Sequence, residues 1–318
     1  MKHKIFFLLR ILISAILIVI LLYIMRGKYD QILGALKSTR GLILMAAFLL
    51  FMVAVLVSSV RLKLIINAQE IPATLLEAVS LSFIGYFFNN FLPTTIGGDV
   101  VKAYYLSKKS KEKIGAYTSV FVDRFLGLLT MIFMAFVAMI FAQNKISNPM
   151  VKQVIYTITI VALVAVLLVT NKNFARRFSA LLVLFRPIEE KVKEAYNVVH
   201  RYRKHNILLL QSIATSIISQ LFFFFTIGVI ALSIGCRIPI RDLLLLVPII
   251  GVISLLPSIN GLGLREGSTV VFFGPIIGKE QAFAVSILWL VILLMTSVVG
   301  GVIYGFSPQF KIKLEEIK

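Results

Sequence analysis

One cysteine, Cys236, stands in 318 residues. It excludes an intramolecular disulfide and any cysteine-based metal cluster. Histidine is nearly as scarce, and His3, His200 and His205 all fall outside the apolar runs. A buried imidazole is therefore excluded as catalyst or metal ligand. Charged residues make up only 15%. No glycine-rich loop ends in the lysine that cradles a nucleotide, so direct use of ATP is excluded. His-Glu-x-x-His and Gly-x-Ser-x-Gly are absent too. The longest polar connector, 171–205, is too short for a transferase domain. Neither metal nor cofactor is expected.

What fills the chain is apolar: 59% hydrophobic residues and a mean hydropathy of +0.97. These values indicate an all-α polytopic membrane protein. Lys and Arg number 33 against 14 Asp and Glu, a formal charge of +19. The bases lie mostly between apolar runs, which points to an anionic lipid surface rather than nucleic acid.

Six runs are long enough to cross a bilayer, about 5–24, 41–66, 114–142, 151–170, 207–234 and 281–306. The first follows a basic start, but it is too long for a signal peptide and lacks a cleavage site, so it is expected to be a retained span. Two further apolar pieces, 75–90 and 243–256, each run into a polar break. The connector 171–205 places Phe174, Phe178, Leu181, Leu182 and Phe185 at helical spacing, and Ile188, Val192, Ala195, Tyr196 and Val199 likewise. Two amphipathic helices lying on the lipid headgroups, or a solvated hairpin, fit that pattern. The whole of 1–318 reads as one transmembrane domain.

The breaks carry the information. The first is Asn89-Asn90-Phe91-Leu92-Pro93-Thr94-Thr95-Ile96-Gly97-Gly98-Asp99, followed by Lys102; the second runs from Leu256-Pro257-Ser258-Ile259-Asn260-Gly261 to Gly263-Leu264-Arg265-Glu266. Irregular backbone at membrane depth is tolerated only where protein or a water-filled cavity satisfies it. Aligned on the prolines, Thr94 matches Ser258 and Gly97 matches Gly261. Paired interruptions in two halves of a membrane chain mark a transport site. Two opposed re-entrant hairpins in an inverted repeat are expected. Lys and Arg crowd 1–4, 61–74, 102–113, 171–205 and 307–318 and are sparser in 25–40, 143–152, 235–242 and 279–280. By the positive-inside rule both termini are cytoplasmic, although Arg26, Lys28, Lys37 and Arg40 then lie outside.

Charges at membrane depth are functional suspects by default. Arg10 and Glu77 are expected near the interface. Asp99, Asp123, Arg124, Arg265 and Glu266 are the informative set. Sequence neighbours on a helix do not face one another, so Asp123 is expected to find Arg265 or Lys102, and Arg124 to find Asp99 or Glu266. Gly97-Gly98 and Gly261-x-Gly263 each precede a half-helix whose free N–H groups suit an anion. Asn90, Thr94, Thr95, Ser258 and Asn260 add polar contacts. The plain alternatives are tight turns for the glycines and an ion-pair network that only pins the hairpins. Gly301-x-x-x-Gly305 reads as helix packing.

The pattern Asn90-x-x-Pro93, Gly97-Gly98-Asp99, Val-Asp123-Arg124-Phe-x-Gly127, Pro257, Gly261-x-Gly263-x-Arg265-Glu266-Gly267 resembles the transmembrane region of lysylphosphatidylglycerol synthase, a flippase-like domain. The resemblance spans nearly the whole chain. It implies movement of an aminoacylated phosphatidylglycerol, or another anionic or lipid-linked headgroup, between leaflets of the cytoplasmic membrane. In two-domain relatives a cytosolic domain makes that lipid. This chain stops at Lys318 without one, so a stand-alone member without lysyltransferase chemistry is expected. Relatives commonly carry Arg where Lys102 stands. A membrane-embedded transferase, or a subunit that serves a synthase partner or a second copy of the chain, is the alternative.

Overall fold

A computed structural model describes residues 12, 15–91, 97–110, 112–142, 149–170, 206–256, 258, 260–307 and 310. Among them are helices and no strand. They are α1 (Ala15–Ile24), α2 (Tyr29–Lys37), α3 (Gly41–Asn67), α4 (Leu75–Phe91), α5 (Gly97–Lys109), α6 (Lys113–Ala142), α7 (Pro149–Thr170), α8 (Asn206–Ser233), α9 (Ile240–Ile253), α10 (Leu264–Ile277) and α11 (Lys279–Phe306). Helices α3, α6, α8 and α11 are long and apolar enough to cross a membrane, and α1 and α7 are shorter apolar helices. The protein is an all-α polytopic membrane protein. Arg10, the connector 171–205 and the tail lysines Lys311 and Lys313 lie outside the described residues.

Two compact units divide the chain: Met1–Leu56, Val79–Lys102 and Leu221–Lys318 form the first, Val57–Ala78 and Ala103–Gln220 the second. In the first unit lies α11, the most buried of the four long apolar helices. Leu21, Met25 and Ile32 pack with Val270 and Phe283, and Lys28 pairs with Glu280 beside them. Gly300 lets α11 touch α4: a Cβ there would fall 2.0 Å from the Phe83 carbonyl oxygen. The sequence pattern put the packing seam at Gly301 and Gly305. The seam is Gly300 and Gly301, because Gly301 faces the Phe87 ring while Gly305 has nothing within 4 Å. Which small residues meet a neighbour depends on the crossing point, which a spacing rule does not encode.

In the second unit Ile65 and Val122 bury against Ala68, Leu126 and Leu209. Glu77 turns out to be a helix cap. Its backbone N–H donates to Thr74 Oγ1 at 3.2 Å and its Oε2 accepts from the Thr74 N–H at 2.9 Å. This reciprocal box satisfies two of the orphan donors at the start of α4. On α8, Ser212 donates to the Leu208 carbonyl and Ser216 to the Ser212 carbonyl, both at 2.8 Å. Such bonds one turn back satisfy a hydroxyl proton inside an apolar helix.

Candidate functional site

The first break separates α4 from α5, and residues 92–96, with Pro93, Thr94 and Thr95, lie outside the described set. On its near side Asn89 Oδ1 accepts the Gly98 N–H at 2.8 Å. This amide caps α5, so one of the N–H groups expected to face an anion is already occupied. Gly98 has a packing reason as well: its Cβ would fall 2.1 Å from the Gly85 carbonyl oxygen. The two limbs of the hairpin touch backbone to backbone, with Gly97 buried beside them. Lys102 lies across the same contact, since a Cβ on Gly85 would meet its Cε at 2.6 Å. Its Nζ donates to Asp99 Oδ1 at 3.2 Å, one turn back on α5. Asp99 is buried and Lys102 half-buried.

The second break follows α9. Asn260, Gly261 and Gly263 take φ values of 47°, 77° and 83°, positive values that explain both glycines. Pro257 lies outside the described residues. Ser258 is fully buried, and its hydroxyl donates to the Leu256 carbonyl at 3.3 Å. Glu266 then folds back over the start of α10. Its Oε2 accepts the Gly263 N–H at 2.7 Å, while its Oε1 accepts from Arg265 Nε at 3.1 Å and also from Arg265 Nη2. Neighbours on a helix were expected to point apart. Here the capping position brings the carboxylate back within reach of the long arginine side chain. Arg265 is 3% exposed and its guanidinium stands over the Trp289 ring, 5.6 Å from the centroid.

The two breaks meet. Asn260 Nδ2 donates to Asn90 Oδ1 at 2.6 Å, across 170 residues of sequence. Both amides are half-buried. Lys102–Asp99 and Arg265–Glu266 belong to the same compact unit as this link.

Asp123 does not find Arg265 or Lys102. Its Oδ1 accepts from Arg61 Nε at 2.7 Å, and Arg61 Nη1 donates to Ser216 Oγ at 3.1 Å. Arg61 joins α3, α6 and α8 within the second unit. Gly127 lies one turn on from Asp123 and leaves room for the guanidinium: its Cβ would stand 2.8 Å from Nη1. Arg61 was hidden from the sequence because it lies in the overlap of an apolar run, 41–66, with a basic stretch, 61–74, where a loop base is the ordinary reading. Arg124, the next residue round the helix from Asp123, is exposed. No cluster of three or more metal-binding side chains occurs among the described residues.

The family model described as the lysylphosphatidylglycerol synthase TM region matches residues 7–301. The chain belongs to that family. Two relatives of the chain carry UPF0104 names. The UPF0104 membrane protein PH1989 of Pyrococcus horikoshii is 28% identical over 293 residues, covering 82% of this chain and 85% of that protein. A UPF0104 membrane protein of Methanothermobacter thermautotrophicus is 26% identical over 307 residues, covering 86% and 85%. No solved structure matches significantly. The family-matched stretch from Asp123 to Gly127 makes a seat for Arg61. The Gly261-to-Glu266 stretch makes a turn with positive φ at both glycines and an acid-capped half-helix.

Proposed function

We propose that this protein translocates an anionic phospholipid or lipid-linked headgroup, such as an aminoacylated phosphatidylglycerol, across the cytoplasmic membrane. The observation that carries this reading is the Asn90–Asn260 contact between two interrupted helices. Interrupted helices that converge are where transporters bind substrate. Lys102 and Arg265, each held by an acid, belong to the same compact unit as that link. A headgroup phosphate would draw on Lys102, whose ammonium is shared with one carboxylate oxygen and keeps further donors, while acyl chains stay in the bilayer. The distribution of Lys and Arg favours cytoplasmic termini.

The test is transfer of fluorescent phosphatidylglycerol between leaflets of proteoliposomes, followed by quenching of the outer leaflet. The intact protein should speed exchange above protein-free vesicles. Lys102→Gln should slow it about tenfold, since a charge-assisted hydrogen bond contributes about 1.5–3 kcal/mol. Exchange at the protein-free rate with correctly folded protein contradicts the proposal.

A further inference from the structure

Trp289 is the single tryptophan of the chain. It is 4% exposed, and its indole Nε1 has no hydrogen-bond partner among the described residues. An unmade hydrogen bond at a buried donor costs about 1–3 kcal/mol, and native folds keep few such groups without a reason. Phenylalanine would give Arg265 and Phe223 a ring without that cost. The neighbouring Phe223 packs edge-on at 5.6 Å and offers no acceptor.

Arg265, on the ring face of Trp289, is also not saturated. A guanidinium carries five N–H donors. The hydrogen bonds that hold it run from Nε and Nη2 to one oxygen, Glu266 Oε1. The Nη1 donors are left over. Glu266 commits its other oxygen to the Gly263 N–H. Ser268 and Thr269, the hydroxyls nearest in sequence, donate to carbonyls of their own helix. This corner of the second break is therefore rich in unspent donors, and the local carboxylate is already engaged on both oxygens.

From this we infer that Trp289 Nε1 and Arg265 Nη1 together bind the oxygen of a phosphate-bearing ligand, with Trp289 a binding residue in its own right. The choice of phosphate rests on the proposed headgroup function; the need for an acceptor rests on the unspent donors alone. Glu266 engages the Nε and Nη2 donors of the guanidinium, and the Trp289 ring lies against its face. An arginine with planar, forked donors suits a phosphate better than a lysine would.

Because the chain has one tryptophan, its fluorescence reads this site directly. The full chain in maltoside micelles, which contain no phosphate, is titrated with short-chain phosphatidylglycerol, with inorganic phosphate and with diacylglycerol. A saturable change in Trp289 emission with phosphatidylglycerol, and none with diacylglycerol, is expected. An equal response to inorganic phosphate at the same concentration keeps the site and assigns it to free phosphate rather than lipid. No saturable change with either phosphate compound, or the same change with diacylglycerol, overturns the inference. Trp289→Phe keeps the ring and removes the donor; lipid retained in native mass spectrometry should fall at least about tenfold, one hydrogen bond to a charged group. Undiminished retention overturns the role of Trp289. If proteoliposomes exchange lipid while Trp289 stays silent, this site fails alone. If Trp289 responds and no exchange occurs, translocation fails and the site stands.

Discussion

Arg61 Nε lies 2.7 Å from Asp123 Oδ1, and Ser216 accepts a second N–H of the same guanidinium at 3.1 Å. Both charged side chains are about nine-tenths buried. Removing one partner strands the other, which costs about 3–5 kcal/mol in buried pairs, whereas replacing both with apolar groups is often neutral. Arg61→Ala should therefore lower the thermal unfolding midpoint in detergent sharply. Arg61→Met with Asp123→Leu should recover most of the loss. A single variant as stable as the double one would show that the pair does not hold the unit together.

Glycines separate into two classes by what their missing Cβ would meet. Gly98→Ala and Gly300→Ala drive a methyl to about 2 Å from a backbone oxygen, of Gly85 and Phe83 respectively. Backbone cannot step aside as a side-chain tip can, so each should cost about 1–3 kcal/mol or more. Gly267 and Gly305 lie in helices with nothing within 4 Å. Alanine there should be neutral or stabilise by up to about 1 kcal/mol through helix propensity. Thermal melts of the four variants check the ranking, and Gly305→Ala ranking with Gly300→Ala would contradict it.

Glu266 has two tasks, capping Gly263 and neutralising Arg265. Glu266→Ala removes both and should destabilise more than Glu266→Gln, which keeps an acceptor for the cap. Loss of a cap alone costs about 1 kcal/mol, and a stranded buried cation about 3–5. Unfolding midpoints of the two variants measure the split. Equal losses would mean that the cap contributes nothing.

Much of this was legible because a membrane helix has no use for Asn, Pro and paired Gly unless it breaks. Four of the six apolar runs are helices long and apolar enough to cross a membrane, two are shorter apolar helices among the described residues, and the interruptions marked the breaks at Asn90 and Asn260. Partner choice was not legible. Asp123 advertises a need for a base, but finding Arg61, 62 residues away in sequence, requires the helix packing. The same holds for Gly300, where one residue of register decides which glycine meets Phe83. Arg265 and Glu266 pair as neighbours only because Glu266 sits at the third position of α10 and turns back to its start. Trp289 sent no signal at all: a lone aromatic in an apolar span reads as core until its N–H is counted.

The two breaks meet at Asn90 and Asn260, and the proposed translocation requires them to part as a headgroup passes. Cysteines at both positions, in a Cys236→Ser background, can be joined by a short bis-methanethiosulfonate, which forms a reducible disulfide with each thiol and expels methanesulfinate. Cys236 itself is half-buried, and burial pushes its thiol pKa up, so its replacement removes a weakly reactive background. The account predicts that Asn90→Cys with Asn260→Cys cross-links readily, that lipid exchange in proteoliposomes then stops, and that reduction restores it. Full exchange by quantitatively cross-linked protein, or failure to cross-link when each thiol alone is reactive, would contradict it.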